Sequence, residues 1–217
     1  MNTVRIKFQK TGLSIFFSHL DLQKVMQRAL KISGLPVWYS KGFNPHIYMT
    51  FTLPLSLGHE SLCESFDFRL EEEMTEQQIL KAMEGTLPDG IILTAAGAPD
   101  YDASRIKYAL YRIKMYGDRN TLDNCISDFT ESNEIIVTKV SKKKTTDINI
   151  RSEIKDLQVV EKGDESLTFT ALFPAGTTYN LNPSLLLEYF GEKFGIDANG
   201  CDVLRVNLLD ENLNILQ

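Results

Sequence analysis

Residues 3–9 alternate. Apolar Val4, Ile6 and Phe8 are separated by Arg5 and Lys7, and a period of two predicts a strand with one buried face. The period changes after Ser18. Leu22, Val25, Met26, Ala29 and Leu30 fall at spacings of three and four, the stripe of an amphipathic helix. Ser18, followed three residues on by Asp21, predicts a capping box at its start. Ser33-Gly34-Leu35-Pro36 stops it. Strand character resumes at residues 37–39 and 47–53, around a loop at 40–46, and again at 64–70. Thr75 and Gln78 give a second capping box, and Ile79, Leu80, Met83 and Leu87 give a second helix face. The turn Pro88-Asp89-Gly90 leads to a strand at 91–95. The order β-α-β-β-α-β over residues 3–97 is that of a ferredoxin-like unit.

The order recurs. Residues 106–115 read as a strand, and Leu122, Cys125, Ile126 and Phe129 mark a helix. Strands follow at 134–140 and 167–173. Asn182-Pro183 starts a helix carrying Leu185, Leu186, Tyr189, Phe190 and Phe194, and a strand at 203–209 closes the chain. The expected architecture is α+β: two tandem ferredoxin-like units with mainly antiparallel sheets. The first covers residues 1–100 and the second 101–217, with a polar, basic insertion near 141–164.

A length of 217 residues accommodates two domains of about 100 residues each. With 43% hydrophobic and 24% charged residues, the composition is that of a globular chain and excludes a disordered one. No apolar run approaches the ~20 residues that cross a bilayer, and the first residues lack an apolar signal core. No membrane association is expected. The three cysteines, Cys63, Cys125 and Cys201, form no CxxC pair. That usage fits a reducing cytoplasm and argues against an iron–sulfur cluster or structural zinc, so no cofactor is expected. The net charge of -6 is unevenly spread. Residues 1–59 hold Arg5, Lys7, Lys10, Lys24, Arg28, Lys31 and Lys41 against the single acid Asp21. This local +6 leaves -12 for the other 158 residues. An anion-binding face on an otherwise acidic protein is the functional reading of that asymmetry.

The first helix is the strongest candidate site. Ser18, His19 and Asp21 stand at its N-terminus, and Lys24, Arg28 and Lys31 continue from Asp21 at helical spacing, opposite the apolar stripe. A row of cations ending at a helix N-terminus suits phosphate. In the loop at 40–46, Gly42 opens backbone angles closed to other residues and Asn44-Pro45 fixes a turn. Tyr39, Lys41, Phe43 and His46 are thereby presented, and aromatics among cations suit base stacking beside phosphate contact. The alternative is that Trp38, Phe43 and Tyr48 are core. A second basic cluster, Lys139, Lys142, Lys143, Lys144 and Arg151, is expected in the insertion as a solvated hairpin tip or a phosphate-contact loop. His19, Asp21, His46, His59, Cys63 and Glu64 lack the tight spacing of a zinc site. There is no P-loop, GxGxxG, GxSxG or HExxH.

Phe17-Ser18-His19-Leu20-Asp21-Leu22, Arg28-Ala29, Leu35-Pro36, Tyr39-Ser40-x-Gly42-Phe43-Asn44-Pro45-His46, Phe51, Pro54-Leu55, Gly58 and Glu64 together resemble the radical SAM-linked protein family. Members are fused to the C-terminus of a radical SAM enzyme or encoded beside one. The likeness is dense over residues 5–67 and thin afterwards. At Gln23, Lys24 and Ile47 the chain departs from the residues usual in that family. The resemblance implies a bacterial cytoplasmic protein with a radical SAM enzyme as partner, and it implies no activity of the domain itself. The expected function is an RNA-binding accessory module that presents substrate to such an enzyme. Two alternatives stay open. One is a docking domain that binds no nucleic acid. The other is a metal-independent ribonuclease, with His19 or His46 as general base and Lys24 or Arg28 stabilising the phosphorane.

Overall fold

A computed structural model describes residues 2–140 and 145–216. The chain divides into two compact units, one formed essentially by the residues up to Arg105 and the other by Ile106–Ile215. Both are mixed α and β, with antiparallel sheets.

The first unit contains β1 (Asn2–Lys10), α1 (His19–Ile32), β2 (Met49–Phe51), β3 (Glu60–Leu70), α2 (Glu76–Met83) and β4 (Ile91–Gly97). Its strands run in the order β4-β1-β3-β2, and every neighbouring pair is antiparallel. The alternation read in residues 3–9 sets the faces. Val4, Ile6 and Phe8 lie opposite Phe68, Phe66 and Glu64. Val4, Ile6, Phe8, Phe66 and Phe68 are buried with Leu22, Met26, Ala29 and Leu30 of α1 and with Ile79 and Met83 of α2. Both helices therefore cover one face of this sheet. Arg5, Lys7, Asp67 and Arg69, at the intervening positions, point to the other face. Both predicted capping boxes are present, Ser18 with Asp21 and Thr75 with Gln78.

The second unit contains β5 (Tyr108–Tyr116), α3 (Arg119–Glu131), β6 (Ile136–Val140), β7 (Thr145–Asn149), the short α4 (Ile150–Glu153), β8 (Lys155–Lys162), β9 (Ser166–Pro174), α5 (Ser184–Phe194) and β10 (Asp202–Leu209). Its sheet runs β10-β5-β9-β8, again antiparallel throughout. Ala109, Tyr111, Ile113 and Met115 of β5 are buried, as are Phe169, Ala171 and Phe173 of β9, Leu122, Cys125 and Phe129 of α3, and Leu186, Leu187 and Phe190 of α5.

Several elements differ from the sequence-based expectation. The strand expected at 37–39 is reduced to two isolated bridges, Val37 with Leu70 and Tyr39 with Ile47, and that expected at 47–53 shortens to β2. Residues 134–140 do not supply a strand to the sheet. They contribute β6, which pairs only with β7 in a separate hairpin. The sheet strand is β8, inside the segment expected to be a polar insertion. The α5 helix begins one residue later than expected, with Asn182 Oδ1 accepting the Ser184 N–H at 3.1 Å.

Candidate nucleic-acid interface

The N-terminus of α1 is built by its cap. Ser18 Oγ accepts the Asp21 N–H at 3.2 Å, and Asp21 Oδ2 accepts the Ser18 hydroxyl at 2.6 Å and the Ser18 N–H at 3.2 Å. The Ser18 donors hold the Asp21 carboxyl below the usual carboxylate range. Lys24, Arg28 and Lys31 follow on the solvent side, all exposed. Among the described residues, none of the three makes a hydrogen bond or ion pair. Asp21, kept ionised by the cap, also interacts electrostatically with Lys24, while Arg28 and Lys31 have no acidic partner among the described residues. His19 is exposed, its ring 5.1 Å from Phe51 in an edge contact.

The loop at 40–46 is closed at its base by the Tyr39–Ile47 bridge and by the Ser40 N–H donating to the His46 carbonyl at 2.8 Å. Ser40 Oγ accepts the His46 N–H at 3.1 Å and lies 2.8 Å from His46 Nδ1. Gly42 takes φ 133°, the glycine-favouring region, at the turn. Lys41, Asn44 and His46 are exposed, and Phe43 is 106% exposed, so the reading of Phe43 as core is wrong. No ring contact or hydrogen bond joins His19 to His46.

The residues flanking this loop, Trp38 and Tyr48, grip a side chain that the sequence pattern did not single out. The guanidinium of Arg69 lies 5.5 Å from the Trp38 ring centroid and 4.5 Å from that of Tyr48. The Trp38 N–H donates to the Arg69 carbonyl at 2.9 Å, fixing the clamp to β3. Arg69 is half-buried, and it makes no hydrogen bond or ion pair through its side chain among the described residues. Its neighbour on the same face behaves oppositely. Arg5, 3% exposed, donates to both Asp67 oxygens at 2.7 and 2.9 Å and to the Tyr101 carbonyl at 2.8 Å, with the Tyr101 ring stacked at 4.5 Å. The α1 stripe and Arg69 lie on opposite sides of the sheet, because α1 covers the face that Arg69 points away from. The α1 row and Arg69 are thus two separate cationic features.

In the second basic cluster, Lys139 donates to the Asn180 carbonyl at 2.9 Å, and Arg151 stacks 5.1 Å from the Phe129 ring centroid. Both act in packing. Lys142, Lys143 and Lys144 lie outside the described residues. Among the described residues no three His, Cys, Asp or Glu side chains are gathered as a metal site would require. Burial pushes the Cys125 thiol up to about 12 and the Cys201 thiol up to about 11, which favours the protonated thiol in both.

A family model described as "Uncharacterized protein conserved in bacteria (DUF2344)" matches residues 3–183. The chain belongs to that family. No curated protein matches it. Among solved structures it is similar to a chain of the "Crystal Structure of a Cbf5-Nop10-Gar1 Complex", at a TM-score of 0.50 and 13% identity. The likeness covers 94% of this chain and 48% of that one, so the chain spans about half the length of the structure it matches. At that identity the likeness concerns the fold alone. No helix among the described residues is long and apolar enough to cross a membrane.

Proposed function

We propose that this DUF2344 protein is an RNA-binding accessory module that works with a radical SAM enzyme, and that both of its units are ferredoxin-like. The strand orders β4-β1-β3-β2 and β10-β5-β9-β8 support the second statement, since each sets the first strand of a β-α-β-β-α-β unit between the last and the third. One observation carries the RNA reading: Lys24, Arg28 and Lys31 form an exposed row of cations that makes no hydrogen bond or salt bridge among the described residues, on a protein of net charge -6. Such a row in an acidic protein attracts a polyanion locally. The radical SAM partner rests on the motif resemblance at residues 17–22 and 39–46.

Protein purified at low salt should carry RNA, visible in its absorbance ratio and identifiable by sequencing. Arg28→Ala should weaken that binding by about 1–3 kcal/mol, the scale of a charge-assisted contact. Arg28→Lys should recover only part, because an ammonium lacks the planar bidentate edge. The fold should persist, since Arg28 is exposed and Leu22, Met26 and Ala29 form the buried side of α1. Parental RNA binding by a folded Arg28→Ala protein would place the interface elsewhere.

A second reading, docking to a protein without nucleic acid, is favoured by a different observation. Leu13 and Phe16, three apart on a 3-10 turn, are 82% and 67% exposed, and Leu20 and Leu57 are also exposed. The Gly58 N–H donates to the Ile15 carbonyl at 3.0 Å, which brings the loop carrying Leu57 beside that turn. Exposed apolar side chains grouped in this way mark interaction surfaces.

A further inference from the structure

Arg69 sits where a structural arginine would ordinarily find an acid. Asp67 is two residues away on the same strand and the same face, yet its carboxylate is taken by Arg5, which it accepts from through two nitrogens. Glu71, two residues beyond Arg69, is exposed and makes no ion pair among the described residues. The Arg69 guanidinium is held instead by two aromatic rings. Stacking on an aromatic face restricts a guanidinium while leaving its in-plane N–H donors unused. A fixed planar donor edge, half-buried and without a protein acceptor, matches the oxygens of a phosphate bidentately. Tyr48, one of the rings that hold it, is 43% exposed, and Phe43, at the tip of the loop between Trp38 and Tyr48, is fully exposed. A phosphate receptor beside exposed aromatic rings is the arrangement that binds single-stranded nucleic acid by backbone contact and base stacking.

We propose that Arg69, clamped between Trp38 and Tyr48, is a phosphate-binding group for single-stranded RNA, with bases stacking on Tyr48 and Phe43. The proposal rests on the RNA-binding reading given above. It places a contact on the face of the sheet away from α1, separate from the Lys24–Arg28–Lys31 row. The α1 row supplies general attraction to the backbone, and the clamp supplies an oriented contact.

Trp38 is the only tryptophan in the chain, so its fluorescence reports on this clamp directly. The full-length protein is titrated at low salt with a fluorescein-labelled oligouridylate of about eight nucleotides, enough to reach across one binding module. Anisotropy reads total binding and Trp38 emission reads the clamp. The expected result is a Trp38 change that saturates with the anisotropy. Arg69→Ala should weaken binding about ten- to hundredfold. Arg28→Ala should lower affinity while keeping the full Trp38 change at saturation. If Arg69→Ala does not fold, Arg69→Gln keeps a planar amide between the rings and removes the charge, and it should show the same loss. RNA binding by the parent with no Trp38 change, and with unaltered affinity in a folded Arg69 variant, would overturn this inference and leave the RNA reading standing. Failure of the parent to bind any RNA would overturn both.

Discussion

Arg5 is nearly excluded from solvent, and its charge is balanced chiefly by Asp67, whose two oxygens accept from Nε and Nη2. Asp100 stands farther off, 3.6 Å from Nη1, and is committed to Lys7 at 2.7 Å. Taking away Asp67 would leave a buried cation largely uncompensated, a far costlier change than exchanging the whole pair for apolar groups of similar volume. Asp67→Ala should therefore destabilise the protein by about 3–5 kcal/mol, read from the urea midpoint at unchanged slope. Arg5→Met combined with Asp67→Leu should recover most of that loss. An unchanged midpoint in Asp67→Ala would mean that water or Asp100 balances Arg5 instead. Arg69, two residues away on the same strand, shows why single residues were the hardest part of the site to read. In the sequence it is one cation near the end of an alternating strand, with no spacing motif. Its distinction lies in the two rings brought to it from positions 38 and 48. Lys24, Arg28 and Lys31 were legible because helical spacing is local.

At the scale of elements, α1 begins where its cap says it should. The Asp21 carboxyl is held below its ordinary value by the Ser18 hydroxyl and N–H. A depressed folded-state value means that the cap stabilises above the unfolded carboxyl value, near ~3.9, and that this stabilisation is lost as pH falls through the folded value. Acid titration followed through the amide resonances of Ser18 and Asp21 should show the helix start loosening in that range. Asp21→Asn should remove the transition, and Ser18→Ala should cost about 1 kcal/mol. Retention of the transition in Asp21→Asn would assign it to another group. The element that pattern missed is β8. Its sequence, Lys155-Asp156-Leu157-Gln158-Val159-Val160-Glu161-Lys162, is largely exposed, as an edge strand can be, and its register shifts twice against β9. Asp156 also takes φ 49°. Bulges break the period of two from which a strand is read, so the segment looked like a polar insertion. Residues 134–140 had the opposite fault. Ile135, Ile136 and Val137 read as a sheet strand, but β6 pairs only within its hairpin. Local propensity does not say which strand a segment will pair with.

At the scale of the whole molecule, the overall charge and the site charge have opposite signs. If the proposed interface binds RNA, added salt should weaken it despite the net -6, because counterions would be released from the phosphates that Lys24, Arg28, Lys31 and Arg69 meet. A strand that reaches both faces, with four such contacts, gives a slope of about -3 in log affinity against log salt, and one confined to the α1 row gives about -2. Each charge-removing variant at these positions should make it shallower by about 0.7. A flat profile would indicate that binding, if present, is carried by apolar groups such as Leu13 and Phe16. The α+β class was legible from the chain, because strand and helix periods differ clearly at 3–9, 22–30 and 106–115. The partnership of strands was not, since it is set by contacts distant in sequence. That partnership has a topological consequence. In each unit the first strand lies beside the last: Arg5 pairs with Gly97, and Tyr108 pairs with Leu209. A segment whose two ends meet along one ladder can be copied whole, spliced between neighbours, or closed and reopened at another loop without separating its sheet. A gene encoding one such unit could double by simple tandem duplication, and its products would be candidates for circular permutation.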